Sequence, residues 1–306
     1  ADLPSVEPML ATASSEAEVT GDDRHYEVKW DGYRGIASVA GGDLRVASRR
    51  GVDVTATYPE LRELVGLVGQ HAAVLDGEIV ALGPDGRSHF ELLQQHGLGA
   101  AAAHYMAFDL LWLDGESLMG RPYVERRAAL EGLLGEGGRF VHVPTTFGDD
   151  RELALAASRD LALEGLIAKR PGGTYAPGRR SRTWLKIKNV RELDVVVVGW
   201  SPGEGGRGGT VGALLVAVPE PGGLVYVGRA GSGFTERGLA EALALLAPLE
   251  RPDAPVGGVP AADALGVNWV EPLLAGRVSY SDRTSAGLLR HPVWRGFRPA
   301  SDLPAT

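Results

Sequence analysis

Hydrophobic and polar residues alternate along several short segments of the chain, and a period of two residues predicts β-strands. Around position 27 one face of such a strand carries Glu27, Lys29 and Asp31. The opposite face carries Val28 and Trp30, which we expect to pack in the core. The alternation therefore predicts a strand with ionisable side chains on one face and core side chains on the other.

Two later segments repeat this design. Asp76 and Glu78 share one face of a predicted strand, and Lys186 and Lys188 share one face of another. Any one of these segments alone could be a half-buried strand with a solvated face. Together they predict three strands that offer charged pairs to a shared cleft.

The remaining patterns complete a coarse map of the chain. Strands are predicted at 36–46 and 52–56 around a Gly41-Gly42 turn, at 73–82 and at 105–112, and helices at 59–68, 121–134 and 149–163. After Lys188, residues 191–194 read as a charged hinge, and then short strands with Gly and Pro turns and one helix at 235–249 favour a small β-barrel. We therefore expect two domains.

Composition excludes several classes of protein. The chain has 306 residues, a length that suits about two domains. Its net charge of -8 does not indicate a general DNA binder, so any affinity for DNA must come from local arginine patches. The absence of cysteine excludes disulfides and cysteine-ligated zinc. No apolar run reaches a membrane span and no signal peptide is evident, so we expect a cytoplasmic protein with no membrane partner.

Lysine is used sparingly in this chain. Of 31 basic residues only four are lysines, namely Lys29, Lys169, Lys186 and Lys188. Unlike a guanidinium, an ammonium can lose its proton and act as a nucleophile. We therefore interpret Lys29 as a covalent nucleophile.

The residues from Lys29 to Arg34 resemble the Lys-x-Asp-Gly-x-Arg signature of the covalent nucleotidyltransferases, which include ATP-dependent DNA ligases, RNA ligases and mRNA-capping enzymes. Further segments resemble that superfamily's other motifs in their usual order: Ser48-Arg49-Arg50-Gly51, Asp76-Gly77-Glu78, Phe108-Asp109-Leu110, residues 164–170 and residues 185–188. The flanking sequence is most similar to the actinobacterial LigC class and the ligase part of LigD.

This resemblance implies a fold and a function. The implied fold is α+β, with an antiparallel-sheet-rich nucleotidyltransferase domain of the ATP-grasp-like ligase kind at 1–190 and an OB-fold β-barrel at 191–306. The implied activity is ATP-dependent sealing of 3′-hydroxyl/5′-phosphate nicks in double-stranded DNA through a lysyl-AMP intermediate, in DNA repair.

The resemblance also assigns roles to residues. Lys29 is the implied nucleophile, and Lys186 and Lys188 offset charge on the phosphoryl oxygens. The residues implied to bind the nucleotide are Glu27 at the adenine amine, Phe108 stacked on the base, Arg34 and Glu78 at the ribose, and also Arg49, Lys169 and Arg298. Glu164, Glu78 and Asp31 are the implied ligands of magnesium or manganese.

Two segments carry weaker expectations. Residues 174–182 form a predicted loop whose arginines at 179, 180 and 182 we expect to contact phosphates, and the glycine-rich loop at 203–209 is interpreted as a hairpin that reaches DNA. The tail departs from the family pattern because Arg298-Pro299-Ala300-Ser301 stands where many ligases have Arg-x-Asp-Lys. Arg295 and Arg298 are the remaining candidates to align the leaving pyrophosphate.

Alternatives remain open from sequence alone. An RNA ligase or capping enzyme uses the same covalent chemistry, and a non-catalytic nucleic-acid-binding module is a different class. The resemblance further implies a monomer, with a repair polymerase or a primase-polymerase as a candidate partner.

Overall fold

The chain folds into two compact units, Ala1–Asn189 and Val190–Thr306. The computed structural model describes residues 3–19, 23–99, 101–203, 209–284 and 286–298. Its described part is rich in strands and poor in long helices, as expected for the predicted α+β class. The assignment of an enzymatic domain to one unit and an OB-fold to the other stays a prediction.

Ten strands and four α-helices are found among the described residues of the first unit. The strands are β1 Leu10–Ser14, β2 His25–Val28, β3 Tyr33–Ala40, β4 Asp43–Ser48, β5 Ala73–Ala81, β6 Ala103–Leu113, β7 Glu116–Ser117, β8 Val141–His142, β9 Gly165–Lys169 and β10 Arg180–Lys188. The helices are α1 Glu63–Val68, α2 Phe90–Gln94, α3 Tyr123–Leu134 and α4 Arg151–Asp160.

These strands form two sheets. One has six strands in the order β4-β3-β5-β6-β7, with β8 added beside β6, and the other has four in the order β1-β10-β9-β2. Most neighbours are antiparallel, whereas β1 runs parallel to β10 and β8 runs parallel to β6.

Three apolar clusters place the two sheets in layers. The largest packs the six-stranded sheet against α1 and α3, and includes Leu64 and Leu130. Another packs the four-stranded sheet against α4, and includes Leu155 and Leu185. The third joins the two sheets, because Ile36 of β3 and Trp184 of β10 belong to it. Because side chains alternate along each strand, one set packs against the helices α1, α3 or α4, and the other set points into the space between the two sheets.

The second unit is built around one long strand. Its strands are β11 Arg191–Pro202, β12 Val211–Glu220, β13 Gly223–Ala230, β14 Glu250–Arg251, β15 Asn268–Val270, β16 Ala275–Tyr280, β17 Asp282–Arg283, β18 Leu289–Arg290 and β19 Val293–Arg298, and its helices are α5 Glu236–Leu246 and α6 Ala261–Ala264. β11 pairs with β12, β15 and β16, and β19 extends the sheet beyond β16. No helix in the described part of the chain is long and apolar enough to cross a membrane.

The Gly41-Gly42 turn lies where it was predicted, between β3 and β4, and both glycines have positive φ. The predicted strand at 52–56 is wrong. Only an isolated bridge joins Asp53 to Ala47, because the Asp53 carboxylate accepts hydrogen bonds from the backbone and hydroxyl of Thr55. Such local side-chain bonds compete with a β-ladder.

Two further expectations are corrected. The charged segment 191–194 is part of β11 rather than a hinge, because Arg277 on the neighbouring strand pairs with Asp194 at 2.7 and 2.9 Å. Arg180 and Arg182 lie in β10 rather than in a loop, since β1 pairs with β10 from Arg180 onward.

Candidate active site

The candidate site is a cavity of about 220 Å³ in the first unit. The six-stranded sheet contributes Arg34, Glu78 and Phe108 to its lining, and the four-stranded sheet contributes Glu27, Lys169, Trp184 and Lys186. Lys29 and Trp30, which follow β2, and Arg49, in the turn after β4, also line it. Residues far apart in sequence are thus brought together between the two sheets.

Lys29 is held at both its backbone and its side chain. Its N–H donates to the carbonyl of Gly165 at 3.0 Å, and its ammonium forms an ion pair with Glu164. The other oxygen of Glu164 lies 3.3 Å from Nζ of Lys188. The Lys29 side chain remains about one fifth exposed, so the amine is anchored and still accessible.

Two glycines permit this close arrangement. A Cβ on Gly32 would lie 2.1 Å from the carbonyl oxygen of Ile79, so only glycine lets the segment after Lys29 approach β5. Gly165 has φ +153, and a Cβ there would lie 2.1 Å from the carbonyl oxygen of Ile187. The close backbone contact beside the candidate nucleophile therefore requires glycine at position 165, next to Glu164.

Glu27 and Lys169 form the buried end of the cavity. Glu27 is 6% exposed and Lys169 is 1% exposed, and their charged atoms lie 2.8 Å apart. The Lys169 ammonium lies 4.4 to 4.8 Å from the ring centres of Trp184, Phe108 and Tyr123 and donates to the carbonyl of Phe108 at 3.2 Å. Burial lowers the pKa of Lys169, and the charge of Glu27 opposes that shift.

Arg34 and Phe108 lie next to each other on the six-stranded side. The guanidinium of Arg34 is 4.7 Å from the Phe108 ring centre and makes two hydrogen bonds of 2.5 Å to Asp76. Asp76 itself is fully buried and also accepts a hydrogen bond from Tyr175. The expectation that Asp76 faces the cleft is therefore wrong, because Arg34 and Tyr175 cover its carboxylate.

Glu78 and Lys186 carry charges that burial makes unfavourable. Burial raises the pKa of Glu78 to about 7, while Arg34 and Lys29 oppose the shift. Burial also lowers the pKa of Lys186, and the positive charges of Lys188, Arg180 and Lys29 lower it further. A ligand that brings both negative phosphates and a cation would stabilise both charged forms.

The predicted three-carboxylate metal site is not assembled. No group of three or more His, Asp and Glu side chains suited to a metal occurs among residues 3–19, 23–99, 101–203, 209–284 and 286–298. Asp31 does not line the cavity, and its backbone N–H donates to Ser88. Glu78 and Glu164 remain, and they fit magnesium in its common form, with one or two carboxylates supplemented by substrate phosphates and water.

Other predicted residues lie outside the cavity or differ from expectation. Val28 and Trp30 line the cavity instead of packing in the core, because β2 ends at Val28 and the alternation stops there. Lys188 is not in the lining and reaches the site only through Glu164. Arg298 ends β19 in the second unit, while positions 299–301 and 204–208 lie outside the described residues.

Sequence reasoning missed two side chains of this region. Trp184 lines the cavity, and Tyr123, at the start of α3, donates a hydrogen bond to Glu27. Arg180, one of the three arginines expected to contact phosphates, also lines the cavity. Trp184 shares a strand face with Lys186, so the alternation could have identified it. Nothing local marks Tyr123, which is 96 positions from Glu27.

Comparisons with known proteins agree with this geometry. Residues 8–188 match the family model described as ATP dependent DNA ligase domain, and residues 207–301 match the one described as ATP dependent DNA ligase C terminal region. The multifunctional non-homologous end joining protein LigD of Mycolicibacterium smegmatis is 43% identical over 293 residues, which are 95% of this chain and 38% of that protein. The chain therefore spans about two fifths of the length of this relative.

A shorter relative and a solved structure extend the comparison. A DNA ligase of Methanoculleus marisnigri is 38% identical over 256 residues, covering 78% of this chain and 46% of that protein. The crystal structure of the ligase domain of LigD from M. tuberculosis is 41% identical, covers 98% of both chains and superposes with a TM-score of 0.60.

Proposed function

The chain belongs to the ATP-dependent DNA ligase family, and on that premise we propose that it seals nicks between a 3′-hydroxyl and a 5′-phosphate in double-stranded DNA. In this proposal Lys29 carries AMP as a covalent intermediate. The pathway served is DNA repair, as the name of the LigD relative from Mycobacterium tuberculosis states for that protein.

One observation carries this proposal. The amine of Lys29 lies in the same cavity as an acidic residue, an aromatic ring and a second lysine, namely Glu27, Phe108 and Lys186. A nucleotide needs a base contact, a stacking surface and cationic groups at its phosphates, and this cavity offers all three beside a nucleophile.

The first reaction joins Lys29 to AMP. After losing its proton, the Lys29 amine attacks the α-phosphorus of ATP, a nitrogen–phosphorus bond forms, and the bond to pyrophosphate breaks. Lys186 lies where it can offset charge that grows on the phosphoryl oxygens. Glu164 orients the amine through its ion pair and is itself balanced by Lys188.

Glu78, which lines the cavity, and Glu164, whose carboxylate pairs with Lys29 and whose charge acts on Glu78, are the proposed ligands of a divalent cation. Asp31 neither lines the cavity nor has its backbone directed to these carboxylates, since its N–H donates to Ser88. A bound magnesium or manganese ion would offset charge on the phosphates. Arg49, at the exposed edge of the cavity, is the proposed contact of the outer phosphates, and Arg34 with Glu78 the proposed contacts of the ribose. Phe108 is the proposed stacking surface for adenine.

The later reactions follow from family membership. AMP passes from Lys29 to the 5′-phosphate of the nick, and the 3′-hydroxyl then attacks that phosphate and releases AMP. Arg295 and Arg298 stay the proposed pyrophosphate contacts of the second unit. A polymerase or primase-polymerase partner, a monomeric state and a cytoplasmic location also remain proposals.

A sealing assay tests the proposal. Nicked duplex DNA with a 3′-hydroxyl and a 5′-phosphate is incubated with ATP and magnesium, and the expected result is a sealed strand from the unchanged protein and none from Lys29→Ala. Arg45→Ala, which removes an exposed ion pair with Asp53, is the control and should seal normally. Sealing that persists in Lys29→Ala, or that occurs only on RNA nicks, would refute the proposal.

A further inference from the structure

Tyr123 is a buried tyrosine to which neither the sequence motifs nor the family comparison gives a role. It is the first residue of α3, follows Pro122 and is fully buried. Its hydroxyl donates to Oε1 of Glu27 on β2. The contact joins two segments 96 positions apart in the sequence.

Both oxygens of the Glu27 carboxylate face hydrogen-bond donors or positive charges. Oε1 accepts from Tyr123 and lies 3.9 Å from Nη1 of Arg127, and Oε2 lies 2.8 Å from Nζ of Lys169. Nη1 of Arg127 is buried and has no hydrogen-bond partner among the described residues, so its contact with Glu27 is an ion pair only. These contacts hold the carboxylate in one orientation, as an acceptor of hydrogen bonds.

Tyr123 can serve only as a donor in this setting. Burial, and next the charge of Glu27, raise the pKa of Tyr123, so its hydroxyl keeps its proton at all physiological pH values. The ring cannot turn freely either, because it packs edge-on against His25 at 6.1 Å and faces the Lys169 ammonium at 4.8 Å. The orientation of Glu27 is therefore set by a rigid neighbour.

An ionised carboxylate distinguishes the two purines by hydrogen bonding. It accepts hydrogen bonds and donates none, and each of its oxygens has lone pairs left after the contacts above. Adenine carries an amino donor at the ring position where guanine carries a carbonyl acceptor. A fixed carboxylate in the lining would accept a hydrogen bond from the adenine amino group. With guanine, the carboxylate would face the carbonyl oxygen, and two acceptors cannot form a hydrogen bond.

We propose that Tyr123 is a positioning residue that fixes Glu27 as an acceptor and so sets the preference for ATP over GTP. Lys169 supports the same carboxylate from its other oxygen. The inference rests on the proposed function, because it concerns the nucleotide that Lys29 accepts.

Tyr123→Phe tests the inference with the least structural change. It keeps the ring and removes one hydrogen bond to a charged group, so kcat/KM for self-labelling with ATP relative to GTP should fall roughly 10- to 100-fold. The loss should appear mainly as a higher KM for ATP, while sealing of a nick that already carries AMP stays unchanged. Tyr226→Phe is a matched control, because the Tyr226 hydroxyl also donates to a carboxylate, that of Asp263 in the second unit.

A third nucleotide separates positioning from a general structural effect. Purine riboside triphosphate lacks the amino group, so the penalty of Tyr123→Phe seen with ATP should largely disappear with this nucleotide. An unchanged ratio of ATP to GTP in Tyr123→Phe, or an equal penalty with all three nucleotides, would overturn the inference.

Two further outcomes are assigned in advance. If Tyr123→Phe does not fold, Tyr123→Met, which also lacks the hydroxyl, takes its place, and the same ratio of ATP to GTP supports or overturns the inference. If the unchanged protein labels with no nucleotide, the proposed function fails, and the inference fails with it.

Discussion

The two ends of the cavity differ in how completely the folded protein has built them. At the Glu27 end the carboxylate and the Lys169 ammonium are almost fully buried, and each has fixed partners. At the Lys29 end the side chain of Lys29 is one fifth exposed and that of Lys188 nearly half exposed. The Glu27 end, which is the base end in the proposed function, is closed, whereas the Lys29 end, the proposed phosphate end, is open.

This difference matches what each end must bind. A purine is flat and neutral, so groups that recognise it gain most from being held in place before binding. Phosphates and a divalent cation bring their own charges. They can therefore complete a site in which the charges of the lysines and carboxylates are not fully paired before the ligand binds. We therefore expect substitutions at the base end to alter stability and nucleotide binding. We expect substitutions at the phosphate end to alter the rate of the chemical step.

The largest effect is expected on the free energy of unfolding, from loss of a buried ion pair next to the base end. Arg126 and Asp109 form a fully buried ion pair with two hydrogen bonds of 2.8 Å between α3 and β6. Arg126→Met leaves Asp109 buried without its partner, so the free energy of unfolding should fall by about 3–5 kcal/mol in urea titrations. Arg45→Ala, at an exposed pair, should cost at most about 1 kcal/mol. A similar small cost for both variants would contradict this contrast.

Lys186→Ala should affect the chemical step and leave the fold intact. The side chain lines the cavity and lies near the positive charges of Lys29 and Lys188. Removing one group that stabilises transition-state charge typically lowers the rate by about 10²–10³. Single-turnover formation of lysyl-AMP measures this loss, and thermal unfolding serves as the control. A rate within tenfold of the unchanged protein would remove Lys186 from the proposed mechanism.

Phe108→Ala should separate base binding from sealing. Stacking of a base on an aromatic ring contributes about 1–3 kcal/mol, so KM for ATP should rise roughly 10- to 100-fold. Sealing of a nick that already carries AMP should change much less, because that step does not bind free ATP. Phe108→Leu keeps more of the packing against Trp184 and is the control for stability. Equal losses in both reactions would argue against a stacking role.

The smallest expected effect concerns pH. The pKa of Lys186 is lowered, so this group loses its charge at a lower pH than a free lysine as the pH rises. The rate of lysyl-AMP formation should therefore decline at alkaline pH, and Lys186→Arg should move that decline to higher pH because arginine stays charged. The difference should be about tenfold or less at its maximum. Identical pH profiles for the two proteins would contradict the assignment.

The sequence predicted those parts of the molecule that depend on local patterns. Strand alternation placed Lys186 in the cavity lining opposite the core residues Leu185 and Ile187, and the glycine pair at 41–42 correctly predicted a turn. The alternation failed at Trp30 because a strand end is not visible in a hydrophobic pattern. It failed at residues 52–56 because side-chain bonds of Asp53 replaced a ladder.

The parts that could not be predicted depend on distant contacts. Asp76 looked like a cleft residue, yet Arg34 and Tyr175 enclose it in the folded protein. Tyr123 has no local signature, since its partner is 96 residues away on another element. The three-carboxylate metal site was taken from motif order, which does not report where the Asp31 side chain points.

The location of the covalent AMP tests the central claim most directly. The protein is incubated with ATP and magnesium, its intact mass is measured, and peptides are mapped to find the modified residue. We predict a gain of one AMP on Lys29, reversed by added pyrophosphate, with Lys169, Lys186 and Lys188 unmodified. AMP on one of those three lysines, or no AMP under conditions in which the protein binds ATP, would contradict the assignment of Lys29 as the nucleophile.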